Sequence, residues 1–215
     1  MIKKILFSFL SCLMFYSSEG QTFVDDVDRV AFVVIDYCID SSGNRYNITI
    51  NEDKTTYLKK DWQEACITHF KDAELPQSMK MLDRCWQIVY YFVNSKYKTY
   101  SLPEEDREKC TIFHTGEYRY IDSVHYDFKI VRRKNKQIEK SLLVKNHQVY
   151  AIQWLDDHIY TLETLKVTLE KDKDRIGDLM EVEIIELLDG DSYLYRATIK
   201  EKETVFFGVI QKVTD

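Results

Sequence analysis

Glycine and proline are scarce, with six Gly and two Pro among 215 residues. A glycine-rich loop that cradles phosphate has little to be built from, and the chain contains no GxGxxG, no P-loop and no GxSxG elbow. Cysteine is limited to five residues, and none of their spacings makes a CxxC redox pair or a zinc knuckle. The histidines, His69, His114, His125, His147 and His158, fall in neither HExxH nor another metal-ligating pattern. No cofactor and no metal is therefore expected. Excess positive charge is missing too: 30 Lys+Arg stand against 36 Asp+Glu, a net charge of -6. An acidic chain repels phosphate backbones, so no nucleic-acid partner is expected.

What is present suits a folded chain. Hydrophobic residues make up 45% and charged residues 31%, which excludes collagenous, low-complexity and multi-spanning membrane proteins. Fifteen Tyr, eleven Phe and three Trp supply ample material for a core.

Residues 1–20 read as a secretory signal peptide. Lys3 and Lys4 give the basic start, and Ile5 to Tyr16 is mostly apolar. Ser18 and Gly20 are the small residues before a cut at Gln21. The apolar run is shorter than the roughly 20 residues that span a bilayer, so no membrane span is expected after cleavage. Phe9, Leu10 and Ser11 precede Cys12 in an order that does not suit lipidation. The reading is therefore of an exported chain, periplasmic or extracellular. Losing Lys3, Lys4 and Glu19 leaves 28 basic and 35 acidic residues, net -7. Cys38, Cys66, Cys85 and Cys110 remain, and an even count in an exported chain suggests two disulfides with three possible pairings.

The mature chain has two rhythms. In residues 21–100, Arg29 to Ile39 is β-branched and aromatic, apolar on both faces, and reads as a covered strand. Asp40 to Asn44 is a turn and Tyr46 to Ile50 a second strand. Leu58 to Ala73 is an amphipathic helix with Leu58, Trp62, Ala65, Cys66, His69 and Ala73 on one stripe, stopped near Pro76. Arg84 to Asn94 is the next strand. The result is a small α+β domain, and the layout loosely resembles the C-terminal domain of TonB-type proteins. Residues 101–109 are polar and read as a linker.

Residues 110–215 follow strand rhythm, with about eight runs of alternating character separated by short links. The runs centre on Tyr118–Tyr120, Tyr126–Ile130, Lys136–Val144, Val149–Leu155, His158–Thr168, Met180–Leu188, Tyr193–Ile199 and Val205–Val213. Asp189-Gly190 is a tight-turn signal, and Arg132 to Lys136 reads as a solvated hairpin turn. The fold class is thus an α+β N-terminal domain followed by an all-β domain. The second domain is an antiparallel meander closing into a small up-and-down, lipocalin-like barrel.

Four segments of this half follow a common pattern: Cys110; Phe113-His114-Thr115-Gly116-Glu117-Tyr118-Arg119-Tyr120; Ile152-Gln153-Trp154 leading to Tyr160-Thr161-Leu162; and Gly208-Val209-Ile210-Gln211-Lys212. On these residues the C-terminal half resembles a family of short secreted bacterial proteins of unknown function. Its members often carry the label "DNA topoisomerase IV". An exported acidic chain without room for a strand-cutting apparatus does not fit that label. The family places a Cys four residues after the Trp, as a partner for the opening Cys. Here that position is His158. The resemblance therefore implies that Cys110 has lost its usual partner and bonds Cys38, Cys66 or Cys85 instead.

The remaining oddity is tyrosine on the strands. Tyr118, Tyr120, Tyr150, Trp154 and Tyr160 are the candidate ligand-binding residues, since a Tyr-lined pocket offers apolar area with polar tips. No catalytic residue is assigned. The expected function is an exported, non-enzymatic binding or cell-envelope interaction protein, its partner an unknown protein or a small apolar ligand. The rival is an envelope hydrolase. That reading requires two or more of His125, Asp127, His158 or a carboxylate to converge in a polar cleft.

Overall fold

The computed structural model describes residues 21–73, 83–121, 128–141, 146–168, 170–199, 201 and 204–213. The signal-peptide segment with Cys12, the Pro76 helix stop, and His125, Tyr126 and Asp127 lie outside these residues.

A four-stranded sheet forms first, in the order β1-β4-β2-β3. Its strands are β1 (Gln21–Val24), β2 (Val30–Ile39), β3 (Arg45–Ile50) and β4 (Arg84–Asn94), with α1 (Lys60–Asp72) between β3 and β4 in the chain. β2 is central and nearly continuous in apolar residues because both of its faces are covered. Val33, Ile35, Tyr37 and Ile39 pack in one cluster with Cys66 and Phe70 of α1. Along the part of its edge that β3 does not pair, the Thr55 hydroxyl accepts from the Val34 N–H at 3.0 Å. The β2–β3 turn is held by Asp40, whose carboxylate accepts from the N–H groups of Ser42 and Asn44, and Gly43 takes φ +86° there. β1 carries no strand signal in the sequence. It is four residues long and pairs parallel with β4.

α1 buries Gln63, Cys66 and Phe70, a stripe turned slightly from the expected one. Phe70 supplies more apolar area than His69, and the Gln63 amide donates to the Tyr57 carbonyl at 2.9 Å. Leu58 precedes the helix and is 73% exposed. The C-terminal carbonyls of α1 are met by Arg45, which donates to Phe70, Lys71 and Ala73. A cation at that end also suits the helix dipole.

Cys38 and Cys85 face each other on β2 and β4 and form a disulfide. Cys66 and Cys110 are buried free thiols. This corrects the expectation that Cys110 bonds one of the other three. Cys38 and Cys85 already satisfy each other across the sheet, and Cys66 faces the core of sheet and helix. Cys110 is sealed into a different cluster with Leu102, Phe113, Tyr118 and Tyr193.

The rest of the chain is a closed antiparallel barrel of eight strands in meander order. They are β5 (Gly116–Tyr120), β6 (Phe128–Arg133), β7 (Lys136–Ser141), β8 (Asn146–Asp156), β9 (Ile159–Val167), β10 (Leu179–Leu188), β11 (Ser192–Ile199) and β12 (Thr204–Lys212). β12 pairs with β5 and closes the ring. Before β5, α2 (Glu104–Arg107) and a 3-10 helix at Glu108–Phe113 bring Leu102, Cys110 and Phe113 into a cluster with Tyr118, Ile130, Ile184, Tyr193 and Ile210 of the barrel. This segment plugs the end at which the β6–β7, β8–β9 and β10–β11 turns lie.

The sheet packs on the outer wall of the barrel. Val93 and Tyr97 join Ile185, Leu194 and Phe207 in one buried cluster. A register shift in β10 between Ile184 and Glu186 keeps Ile184 inside the barrel while Ile185 and Glu186 turn toward the sheet. Glu186 there accepts from Arg29 Nε at 2.9 Å and from the Tyr97 hydroxyl. Among the described residues no helix is long and apolar enough to cross a membrane.

Candidate functional site

The period-two alternation of the barrel strands sends every second residue inward. From β5 come Tyr118 and Tyr120, from β6 Ile130 and Arg132, and from β7 Gln137 and Glu139. From β8 come Gln148, Tyr150, Ile152 and Trp154, from β9 Tyr160 and Leu162, and from β11 Tyr193 and Tyr195. All five residues singled out from the sequence, Tyr118, Tyr120, Tyr150, Trp154 and Tyr160, therefore lie in one interior.

They gather around a residue the sequence did not mark. Arg132 is 2% exposed, which corrects its reading as part of a solvated turn. The rest of that run is outside: Arg133, Lys134, Asn135 and Lys136 are exposed and Lys134 and Asn135 turn the chain, while Arg132 pairs across the ladder with Gln137 and shares its inward face. Its Nε donates to Gln137 Oε1 at 2.9 Å, Nη1 to the Phe113 carbonyl at 2.9 Å and Nη2 to the Tyr160 hydroxyl at 3.0 Å. The guanidinium carbon lies 4.8 Å from the Tyr118 ring centre, 4.6 Å from that of Tyr160 and 5.7 Å from that of Trp154. Burial pulls the guanidinium pKa down, but the hydroxyls of Tyr160, Tyr193 and Tyr118 more than reverse this. The cation is thus held by neutral acceptors and ring faces, with no carboxylate in ion-pair contact among the described residues.

One step along the barrel sits a carboxyl. The Gln137 amide donates to Glu139 Oε1 at 2.7 Å, and the Tyr120 hydroxyl donates to the same oxygen at 3.2 Å. Gln137 thereby links the guanidinium to the carboxyl through its amide. Burial pushes the Glu139 pKa up, against the lowering pull of Gln137 and Tyr120. Beside them the Tyr150 hydroxyl donates to Gln148. Tyr120 and Tyr160 are held well above the ordinary phenol pKa, chiefly by burial, so their hydroxyls stay neutral.

At the plugged end Trp154 stacks on His114, ring centres 3.8 Å apart. His114 Nε2 donates to the Asp157 carbonyl at 3.0 Å. Among the described residues the indole N–H of Trp154 has no partner. His158 is 3% exposed, and its Nδ1 lies 3.7 Å from Asp156, too far for a hydrogen bond. Burial raises the Cys110 thiol to about 12, with Asp157 and Asp106 adding to it, so it is a packed thiol and not a nucleophile. Among the described residues no group of three or more His, Cys, Asp or Glu is placed to hold a metal ion.

A separate cleft of about 430 Å³ lies outside the barrel where it meets the sheet, lined by Phe23, Lys98, Glu183, Arg196 and Phe207 among others. Its charges are already used. Arg196 donates to Glu183 at 2.5 Å, and the Lys98 ammonium lies 4.8 Å from the Phe23 ring centre. The barrel interior is the stronger candidate, because it holds a charge without an opposite charge against it. Compared with models of protein families, curated proteins and solved structures, the chain has no match.

Proposed function

We propose that this is an exported binding protein that takes a small molecule into the barrel and performs no covalent chemistry on it. The α+β part, residues 21–100, and the lipocalin-like barrel, residues 110–215, are read as two domains joined by residues 101–109. One observation carries the reading. Tyr118, Tyr120, Tyr150, Trp154 and Tyr160 converge inside a closed eight-stranded barrel, the strand number whose interior either just fills or holds one small ligand. Buried tyrosines offer ring faces and neutral hydroxyls, which position a ligand without activating it. Export is supported by the basic and apolar start of the chain and by the Cys38–Cys85 bridge, since disulfides persist in oxidising compartments.

The test is native mass spectrometry of the full chain purified from the cell envelope without denaturant. The expected result is a polypeptide beginning at Gln21, carrying an extra small mass that denaturation releases. An intact N-terminus refutes export. A bare chain that turns over ester or glycoside substrates refutes the binding reading in favour of the hydrolase.

A further inference from the structure

The polar groups inside the barrel are not equivalent, and the difference selects the charge of a ligand. Each of the three nitrogens of Arg132 already donates to a neighbour, its ring neighbours cover it, and it is 2% exposed. Three of its five N–H groups are thus engaged, and an anion entering the barrel meets a guanidinium that the rings and burial cover. Glu139 differs. Both of its hydrogen bonds end on Oε1, its other oxygen has no partner among the described residues, and the residue keeps 7% of its surface. Glu139 is thus less tightly covered than Arg132. No cation is in ion-pair contact with it among the described residues.

Its surroundings are aromatic. Tyr120 donates to it from β5, and the hydroxyls of Tyr195, Tyr150 and Tyr160 lie within electrostatic range of Tyr120. The charged groups that face Glu139 are Arg132 on β6 and Arg175 on the β9–β10 connection, both acting at a distance. A carboxylate that is buried and unpaired is costly, so it either keeps a proton or finds a cation. Tyrosine faces attract cations as well.

We propose that the barrel binds a small organic ammonium compound, its cationic head on Glu139 and its apolar body against the tyrosine rings. This rests on the barrel being a ligand site. Burial raises the Glu139 carboxyl above the ordinary range, so it holds its proton more tightly than a free glutamate does. Pairing with R–NH₃⁺ favours the carboxylate, so at a pH where the carboxyl still holds its proton, binding sends that proton to solvent. Protons compete with the ligand, so affinity rises with pH until the Glu139 carboxyl is fully ionised.

The experiment titrates the full mature chain with three probes of matched shape and different charge: benzylamine, benzyl alcohol and benzoate. Binding is read by calorimetry in two buffers of unlike ionisation enthalpy and by Trp fluorescence. Benzylamine is expected to bind at least about tenfold tighter than benzyl alcohol. Its binding should release protons, more of them toward acid pH, and should weaken from pH 8 to pH 5. Glu139→Gln keeps an acceptor for Gln137 and Tyr120 and should bring benzylamine down to the level of benzyl alcohol. The proton count is taken on the unaltered protein and does not depend on that variant folding. Equal binding of amine and alcohol without proton release overturns the ammonium assignment and leaves the binding site standing. Preference for benzoate overturns the choice of Glu139 over Arg132. No binding of any probe, with the interior tyrosine NMR signals unmoved, overturns both the assignment and the site.

Discussion

At the scale of single residues the barrel depends on who yields space to whom. Gly208 on β12 lies directly opposite Tyr195 on β11. A Cβ built at Gly208 would stand 2.5 Å from the Tyr195 hydroxyl and 2.7 Å from its Cζ. The glycine is therefore the floor on which the Tyr195 ring lies, and its missing side chain, not a special φ, is what the site requires. Gly208→Ala forces the ring off that floor into an interior already occupied by Tyr193 and Tyr120. Overpacking of this kind costs about 1–3 kcal/mol. The expected outcome is a lower denaturant midpoint at an unchanged m-value. An unchanged midpoint refutes the close packing of ring on glycine. Arg132 illustrates the opposite economy, in which a large charged residue is kept inside because ring faces and three neutral acceptors replace its water. That arrangement could not be read from the string RRKNK. In a two-residue hairpin the side chain just before the last strand residue points inward or outward according to register, and composition alone does not set register.

At the scale of elements, legibility followed length and alternation. The eight barrel runs were visible because each carries several inward aromatic or aliphatic residues at period two, as in Tyr150, Ile152 and Trp154 on β8. The inward convergence of the five chosen residues followed from the same alternation. β1 was invisible because four residues contain no measurable period, and its partner in the ladder is distant in sequence. The plug at Glu108–Phe113 carries no signal in the sequence because it looks polar, while its weight lies in Cys110 and Phe113 together with Leu102 ahead of it. Cysteine pairing was only half legible. Parity suggested two bridges, but parity says nothing about which thiols face one another. Among the described residues there is one bridge, spanning 47 residues between β2 and β4, and two thiols that burial raises to about 12. Reducing Cys38–Cys85 should cost about 2–4 kcal/mol, seen as a fall in melting temperature with reductant. In the native, unreduced protein a thiol reagent at pH 8 should label neither Cys66 nor Cys110, and in denaturant it should label both. Labelling of none in denaturant means a second disulfide and refutes the free pair.

At the scale of the whole molecule the junction of sheet and barrel is where pH acts on stability. The contact is an apolar cluster around Tyr97, Ile185 and Phe207, edged by Glu186 with Arg29 and Tyr97. Burial alone would raise the Glu186 pKa, but the hydrogen bonds from Arg29 and Tyr97 and the charge of Arg29 bring it below the ordinary value. A carboxyl whose folded pKa is depressed binds its proton more weakly folded than unfolded. Its contribution is therefore complete above the unfolded glutamate pKa of about 4.3 and disappears as pH falls through the lower folded value. Arg29 is half exposed, so solvent screens the pair and its net contribution is on the order of 1 kcal/mol or less. Glu186→Gln keeps an acceptor for Tyr97 and removes the charge. Above pH 5 this variant should be less stable than the parent by that amount. The gap should close on acidification toward pH 3, as the parent loses what the variant never had. Measured by denaturant unfolding across that range, a gap that stays constant with pH refutes the charged contact at the junction, and a gap that widens in acid reverses the sign argued for Glu186.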